Sequence, residues 1–172
     1  MKIAFLDVEA SSLGNDSYPI EIAYATEDGK EWSSLIKPMA HWFDWDEESE
    51  KVHNIPRSDL VAGMNPGDAL AHLNHMVEEG YVFHTDAPSW DEFWISRIMA
   101  DLDFDKRPSL KSLQMLVYNI YEDKLDFGSR IREYENIKKS VNETTDARIT
   151  HRALDDAKFM REIYLMTKEK YG

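Results

Sequence analysis

Four carboxylates and one imidazole in this chain form three clusters that are far apart in sequence. Asp7 and Glu9 end an apolar run, Asp91 lies in an aromatic segment, and His151 precedes Asp156 by five positions. These are the side chains that a phosphodiester-cleaving site built on two divalent metal ions requires. Oxygen ligands suit hard cations, so we expect Mg2+ or Mn2+ rather than a metal that prefers thiolates.

The pair formed by Asp7 and Glu9 can be interpreted in two ways. Residues two apart on a β-strand point to the same face, so these carboxylates would project side by side while Val8 is buried opposite. Adjacent carboxylates repel each other and one pKa rises, a conflict that a divalent cation removes. Two solvated acids at the end of a strand are the alternative interpretation of this pair taken alone.

Asp91 also has two interpretations. It falls near the beginning of a predicted helix, where the helix dipole stabilises a carboxylate, so it is either a capping residue or a metal ligand. Trp90, Phe93 and Trp94 flank it. We expect these aromatic rings to pack in the core and to fix the direction of the Asp91 side chain.

His151 and Asp156 lie at the beginning of the last predicted helix. An imidazole exchanges protons near neutral pH, so beside a metal cluster His151 can take a proton from an attacking water. Asp156 would complete the ligand set, with Asp155 as the competing carboxylate. The small residues Ala153 and Ala157 would let this helix approach the sheet closely.

The elements that must position these groups are indicated by hydrophobic periodicity and turn residues. We predict strands at 2–8, 19–26, 31–37 and 81–84. We predict helices at 66–79, 89–102, 129–140 and 154–171, one helix that Pro108-Ser109 would cap and that includes Leu110, and shorter helical turns at 57–62. Residues 38–51 and 141–150 are predicted loops. This order indicates an α/β fold with a mixed sheet flanked by helices.

Composition limits the classes of protein to which the chain can belong. Its 172 residues, 42% of them hydrophobic, suit one domain spanning 1–172. No apolar stretch reaches the roughly 20 residues of a membrane span, and the first residues lack the features of a secretion signal. The absence of cysteine fits a cytoplasmic location. A net charge of −13 disfavours broad binding to duplex nucleic acid and favours a short or single-stranded substrate.

Four segments resemble a known family in their residues and in their order. They are Asp7-Val-Glu9-Ala-Ser-Ser, Pro19-Ile-Glu-Ile-Ala, Trp90-Asp91-Glu-Phe-Trp and His151-Arg-Ala-Leu-Asp-Asp156-Ala. The chain resembles the DnaQ-like 3′–5′ exonucleases of the DEDDh branch, which includes ribonuclease T, oligoribonuclease and polymerase proofreading domains. The resemblance implies a ribonuclease H-like fold with a mixed five-stranded sheet. It also implies hydrolysis from the 3′ end with release of 5′-mononucleotides.

The same resemblance implies a role for each clustered residue. Asp7, Glu9 and Asp156 would bind the catalytic metal ion, and Asp7 would also reach a second ion. Asp91 would bind that second ion directly or through water, and His151 would be the general base. The resemblance favours Asp156 over the preceding aspartate as the metal ligand.

Substrate contacts are expected close to the first motif. The candidate substrate-binding residues are Ala10, Ser11, Ser12, Leu13 and Trp90. The expected partner is a single-stranded or short nucleic acid with a free 3′ end, because stacking on aromatic rings favours unpaired bases.

Three other segments have open interpretations. The aromatic run Trp42-Phe43-Asp44-Trp45 is either a stacking platform or part of the core. A set of basic residues would steer phosphates or form an ordinary charged surface: Arg130, Arg132, Lys138, Lys139, Arg148 and Arg152. The segment Val52-His53-Asn54-Ile55 resembles a turn of the same enzymes.

The chain departs from the family pattern in two places. Val8 stands where the family usually has Thr or Ser, which removes a hydroxyl. The segment from His84 to Trp90 has two more residues than the usual motif, so we expect a different approach to Asp91. Asp86 in that segment adds a carboxylate near the site, with a turn or cap role as the alternative.

A catalytically inactive module that binds nucleic acid or a protein is the alternative function. The presence of all five clustered groups argues against it, because a binding module does not need them. A homodimer is expected only by analogy with small members of the family.

Overall fold

A mixed five-stranded sheet forms the centre of the molecule. The computed structural model describes residues 2–102 and 108–172. The strands are β1 (Lys2–Ala10), β2 (Pro19–Thr26), β3 (Glu31–Leu35), β4 (Tyr81–Thr85) and β5 (Leu110–Ser112). Their order across the sheet is β3-β2-β1-β4-β5, with antiparallel pairing from β3 to β1 and parallel pairing from β1 to β5. This arrangement confirms the predicted α/β fold.

Helices flank the sheet in the described residues. They are α1 (Glu47–His53), α2 (Pro66–Glu78), α3 (Pro88–Leu102), α4 (Leu113–Ile120), α5 (Phe127–Thr144) and α6 (Ala153–Tyr171), with a 3₁₀ helix at Arg57–Ala62. None of these helices is long and apolar enough to cross a membrane.

Strand alternation in β1 divides the core between the two faces of the sheet. Leu6 and Val8 pack with residues of α2 and α3, whereas Ile3 and Phe5 pack with residues of α4, α5 and α6. The face that carries Ile3 and Phe5 continues into Asp7 and Glu9, because side chains two apart share a face. The predicted burial of Val8 on the opposite face is confirmed, with 5% of this residue exposed.

The end of β1 extends beyond its neighbour β4. The parallel pairing of these strands runs from Lys2 opposite Tyr81 to Phe5 opposite His84. Past this point β1 stays paired with β2 as far as Ala10, while β4 ends and the chain enters α3. One edge of the last residues of β1 is therefore left for side chains that come from the helices.

The predicted loop at 38–51 is wrong at its end, because helix α1 begins at Glu47. Asp46 caps this helix, its carboxylate accepting hydrogen bonds from the amides of Glu48 and Ser49 at 3.2 Å. Asn54 ends it in the left-handed conformation, with φ of 53°. The acidic segment lacks a clear hydrophobic period, but capping at both ends and tertiary packing are sufficient to make it helical.

The helix expected from Pro108-Ser109 also begins later than predicted. Residues Leu110–Ser112 form β5, where Leu110 pairs with Phe83 and Ser112 pairs with Thr85. The hydroxyl of Ser112 accepts a hydrogen bond from the amide of Met115 and caps α4. Pairing with a distant strand overrides the local pattern here. Smaller differences are that β3 ends at 35 rather than 37 and that α5 extends over 127–144 rather than 129–140.

We expect Gly63→Ala to destabilise the protein. A Cβ atom at Gly63 would lie 2.7 Å from the Lys37 nitrogen and 2.8 Å from the Leu35 oxygen, both of which are backbone atoms. The resulting overpacking should lower the free energy of unfolding by about 1–3 kcal/mol, measured by urea denaturation. Gly128→Ala is the matched control, because its nearest contact would be 3.4 Å and alanine favours a helix. Equal stability of the two variants would contradict this close approach.

Candidate active site

Three of the predicted groups meet at the end of β1. Glu9, His151 and Asp156 each place a potential ligand atom within 4.8 Å of those of the other two. Glu9 comes from β1, Asp156 lies in the first turn of α6, and His151 lies just before that helix. The tertiary structure thus joins residues that are more than 140 positions apart in the sequence.

Asp91 approaches the same place from α3. It lies in the first turn of this helix and is 2% exposed. Its carboxylate accepts a hydrogen bond from the hydroxyl of Thr85, the last residue of β4. The negative charge of Asp91 acts on Asp7 more strongly than that of any other carboxylate. The four predicted carboxylates therefore form one electrostatic group.

Burial and repulsion from neighbouring carboxylates raise the pKa of all four carboxylates. Burial is the largest cause at Asp7, whose pKa lies well above its ordinary value, followed by the charges of Asp91 and Glu9. Burial and the charge of Asp156 raise the pKa of Glu9 to about 7. Burial raises the pKa of Asp91 to about 8, against the hydrogen bond from the Thr85 hydroxyl. Without a cation, the site therefore retains protons near neutral pH.

Asp86 is a fifth carboxylate beside this group. It is exposed in the segment between β4 and α3, and its negative charge helps to raise the pKa of Asp7, Glu9, Asp91 and Asp156. The segment with two extra residues therefore adds negative potential to the site.

Asp155 and Asp156 point to different places. Asp156 joins Glu9 and His151, and it accepts a hydrogen bond from the Thr150 amide at 2.8 Å. Asp155 accepts a hydrogen bond from the Thr150 hydroxyl at 2.9 Å and lines a separate, highly charged cleft with Arg148, Lys158 and Arg161. The geometry therefore favours Asp156 over Asp155 as a possible metal ligand.

An ion pair between the buried Glu21 and the exposed Arg152 holds the turn that carries His151. Glu21 on β2 lies opposite Glu9 on β1 and accepts hydrogen bonds from the Arg152 guanidinium at 3.0 and 2.8 Å. It also accepts a hydrogen bond from the Ala153 amide at 2.9 Å, which caps α6. His151 has φ of 56°, in the left-handed region. The Glu21 carboxylate thus ties the His151 turn to the sheet.

A cavity of about 280 Å³ opens beside Glu9 and His151. Three predicted substrate-binding residues line it, namely Ala10, Ser12 and Leu13. The other lining residues are Val8, Ser49, Val52, His53 and Trp94. Sequence reasoning did not assign a role to His53, although the segment that contains it resembles a turn of the exonuclease family.

Ser11 and Trp90, the other predicted substrate-binding residues, lie outside this lining. Ser11 is buried, and its hydroxyl donates to Asp44 at 2.8 Å and accepts from the Tyr18 amide at 3.1 Å. Trp90 is 43% exposed and stacks on Trp94 with ring centroids 5.5 Å apart. The expected burial of the aromatic rings around Asp91 therefore applies to Trp94 but not to Trp90.

In the aromatic run 42–45, one ring is part of the core and another is exposed. Trp42 is buried, and its indole nitrogen donates to Asp101 at 2.6 Å. Phe43 is 74% exposed.

Much of the basic set is engaged elsewhere, because Arg152 binds Glu21 and the Arg130 guanidinium donates to backbone carbonyl groups. These contacts leave fewer free cations for phosphates than the sequence suggested.

Solved structures with a similar fold include several exonucleases. The nuclease domain of 3′hExo, a DEDDh family member bound to rAMP, has a TM-score of 0.67 and 18% identity, covering 98% of this chain and 92% of that one. E. coli Exonuclease I with single-stranded DNA and a zinc ion has a TM-score of 0.70 and 13% identity, covering 98% of this chain. A 3′-exonuclease that recognises the histone mRNA stem-loop has a TM-score of 0.67 and 17% identity, covering 99% of this chain.

These similarities establish the class of fold. The chain has the fold of the DnaQ-like 3′–5′ exonucleases, with a ribonuclease H-like mixed sheet, as its sequence motifs predicted. It spans 40% of the length of the Exonuclease I chain and 64% of the histone mRNA exonuclease chain. No protein-family model and no curated protein sequence matches it.

Removing the Glu9 charge should make stability less dependent on pH in the absence of divalent metal. The pKa of Glu9 is raised on folding, so the folded state binds more protons between about pH 4.5 and 7 and loses stability as the pH rises through that window. Between pH 5 and 8, the free energy of unfolding of wild type should fall by at most on the order of 3 kcal/mol more than that of Glu9→Gln. Urea unfolding in EDTA measures this difference.

The matched control for that experiment is Glu169→Gln, at an exposed position in the last turn of α6. The free energy of unfolding of this variant should depend on pH as that of wild type does. Parallel plots of unfolding free energy against pH for wild type and Glu9→Gln would contradict the raised pKa of Glu9.

Glu21→Gln and Arg152→Ala should shift the pKa of Glu9 in opposite directions although both remove the same ion pair. The Glu21 charge raises this pKa and the Arg152 charge lowers it. We therefore expect a lower pKa in Glu21→Gln and a higher one in Arg152→Ala, measured by carboxyl carbon NMR titration. Both variants should speed hydrogen exchange of the Ala153 amide. A shift in the same direction in both would refute this account of the electrostatics.

Proposed function

We propose that the chain is a metal-dependent 3′–5′ exonuclease that hydrolyses single-stranded DNA or RNA, or short oligonucleotides, to 5′-mononucleotides. The observation that carries the proposal is the convergence of Asp7, Glu9, Asp91, His151 and Asp156 at one end of β1. A fold shared with exonucleases supports it.

The side chains at this end of β1 fit divalent cations. Four crowded carboxylates with raised pKa values are unfavourable as anions unless positive charge neutralises them. Asp7, Glu9 and Asp156 would hold one ion, and Asp7 and Asp91 would hold a second. Their oxygen atoms suit Mg2+ or Mn2+. Such ions, when bound, supply Lewis acidity and charge neutralisation to a phosphodiester.

His151 is suited to the role of general base. Its side chain is exposed and lies within 4.8 Å of the Glu9 and Asp156 ligand atoms. It can therefore reach a water molecule beside these carboxylates and take its proton as the oxygen attacks phosphorus. The Glu21–Arg152 pair would keep the His151 turn in place during this transfer.

The surroundings of the site favour an unpaired 3′ end. The 280 Å³ cavity beside Glu9 and His151 is close in size to the smaller ligand pockets of proteins and would take the terminal nucleotide. The side chains of Leu13, Phe43 and Trp90 are exposed and offer apolar surface for bases. The net charge of −13 disfavours long duplexes. Single-stranded DNA and rAMP in the similar structures agree with this class of substrate.

The organisation of the protein is also part of the proposal. We treat residues 1–172 as one exonuclease domain, because both faces of the sheet pack into cores that include residues of β1. The cytoplasmic location and the homodimer expected from the sequence remain predictions.

The experiment that tests the proposal compares two neighbouring aspartates. Asp156→Asn should abolish hydrolysis from the 3′ end of a 5′-labelled oligonucleotide in Mg2+ or Mn2+, because it removes a metal ligand. Asp155→Asn is the matched control and should retain most of the activity, since its side chain faces the separate charged cleft. Asp7→Asn should behave like Asp156→Asn, and His151→Ala should lower the rate by about 10²–10⁴.

The same assay separates the proposed enzyme from an inactive binding module. Matched DNA, RNA and duplex substrates are incubated with Mg2+, Mn2+ or EDTA. Metal-dependent shortening from the 3′ end supports the exonuclease. Tight binding without shortening, or near-full activity of pure Asp7→Asn, would refute it.

A further inference from the structure

One buried ring nitrogen beside the proposed active site has no hydrogen-bond partner in the described part of the chain. His53 is the last residue of α1, is 2% exposed, and lines the cavity that Glu9 and His151 also line. Its Nδ1 accepts a hydrogen bond from the Ile55 amide at 3.0 Å. Its Nε2 is buried and has no hydrogen-bond partner among the described residues.

The hydrogen bond from Ile55 determines which nitrogen carries the proton. Because Nδ1 accepts, the hydrogen of the neutral ring must be on Nε2. Burial lowers the pKa of His53, which keeps the ring neutral near pH 7. A buried donor without an acceptor is unfavourable, so a donor of this kind beside a cavity indicates an acceptor that arrives with a ligand.

The other neutral polar side chains of the cavity already have acceptors. The Ser12 hydroxyl donates to Asp44 at 2.6 Å, and the Ser49 hydroxyl donates to Asp46 at 2.8 Å. Among the described lining residues outside the carboxylate–imidazole cluster, His53 is thus the side chain with a donor still available.

The position of the cavity indicates which part of a nucleotide would meet His53. In a nucleotide at the 3′ end, the sugar is joined directly to the phosphate that is cleaved. If that phosphate lies at Glu9 and His151, the sugar must occupy the adjoining part of the cavity. His53 lines this cavity together with Glu9 and His151. The apolar side chains of Val8 and Leu13 in the cavity lining then suit the nucleobase.

We propose that the Nε2–H group of His53 donates a hydrogen bond to a sugar hydroxyl oxygen of the 3′-terminal nucleotide and so determines specificity for the sugar. The inference rests on the proposed function, because it uses the same site. A site built to bond a hydroxyl discriminates against an analogue that lacks it, since its own buried donor is then left unpaired.

The test measures binding of nucleoside monophosphates, so it does not depend on hydrolysis. AMP, 2′-deoxyAMP and 3′-deoxyAMP are titrated calorimetrically into the protein in Mg2+. Wild type should bind AMP about tenfold more tightly than the analogue that lacks the recognised hydroxyl. The two deoxy analogues show whether that hydroxyl is at the 2′ or the 3′ position.

His53→Asn is the informative variant. Its side-chain oxygen can replace Nδ1 as acceptor for the Ile55 amide, but it has no group at the position of Nε2. This variant should bind AMP and the analogue that lacks the recognised hydroxyl about equally. Val52→Ala, in the same cavity, is the matched control and should weaken all three ligands while preserving the tenfold ratio. If His53→Asn retains the wild-type ratio, or if wild type shows no such ratio, the assignment is wrong.

A second measurement covers the case in which His53→Asn does not fold. The Nε2–H resonance of wild-type His53 should shift on addition of AMP and stay unchanged with 2′,3′-dideoxyAMP. An equal shift with both ligands would overturn the assignment. If the protein does not hydrolyse oligonucleotides but keeps the tenfold ratio of affinities for AMP and its deoxy analogue, only the exonuclease activity is refuted. If it hydrolyses oligonucleotides but lacks that ratio, only the role of His53 is refuted.

Discussion

The crowding of negative charge at the end of β1 is the constraint on which the rest of the structure depends. Asp7 and Glu9 share one face because strand alternation permits nothing else. Asp91 and Asp156 come from the first turns of α3 and α6, which pack on opposite faces of the sheet. Burial and repulsion raise the pKa of all four, so the folded chain holds them together at a cost that protons or cations must offset.

The surrounding elements hold these groups against their repulsion. The core residues of β1 fix its position between the helices, and β4 ends early enough to admit Asp91. Glu21 is itself acidic, but its carboxylate accepts hydrogen bonds from the Arg152 guanidinium and from the amide of Ala153. One carboxylate therefore fixes the beginning of α6, and with it His151 and Asp156, and Arg152 offsets its effect on the pKa of Glu9.

The cavity next to the carboxylates depends on contacts that are separate from catalysis. Asp44 accepts hydrogen bonds from the hydroxyls of Ser11 and Ser12, which joins the loop after β1 to the aromatic run before α1. Helix α1 then places Val52 and His53 beside Glu9. A nucleotide-sized space thus arises where three segments of chain meet. The one buried donor of its lining that lacks a partner among the described residues belongs to His53, which ends a helix.

The sequence by itself determined the features that depend on local period and chemical type. Alternation placed Asp7 and Glu9 on one face, the apolar periods indicated most strands and helices, and the residue types indicated an oxygen-rich metal site. Only the tertiary structure decided the rest. It made a strand of Leu110–Ser112, directed the Asp155 and Asp156 side chains to different places, and put His53 in the cavity. These outcomes depend on partners far away in the chain, such as Phe83 for Leu110 and Glu9 for Asp156, which no local pattern encodes.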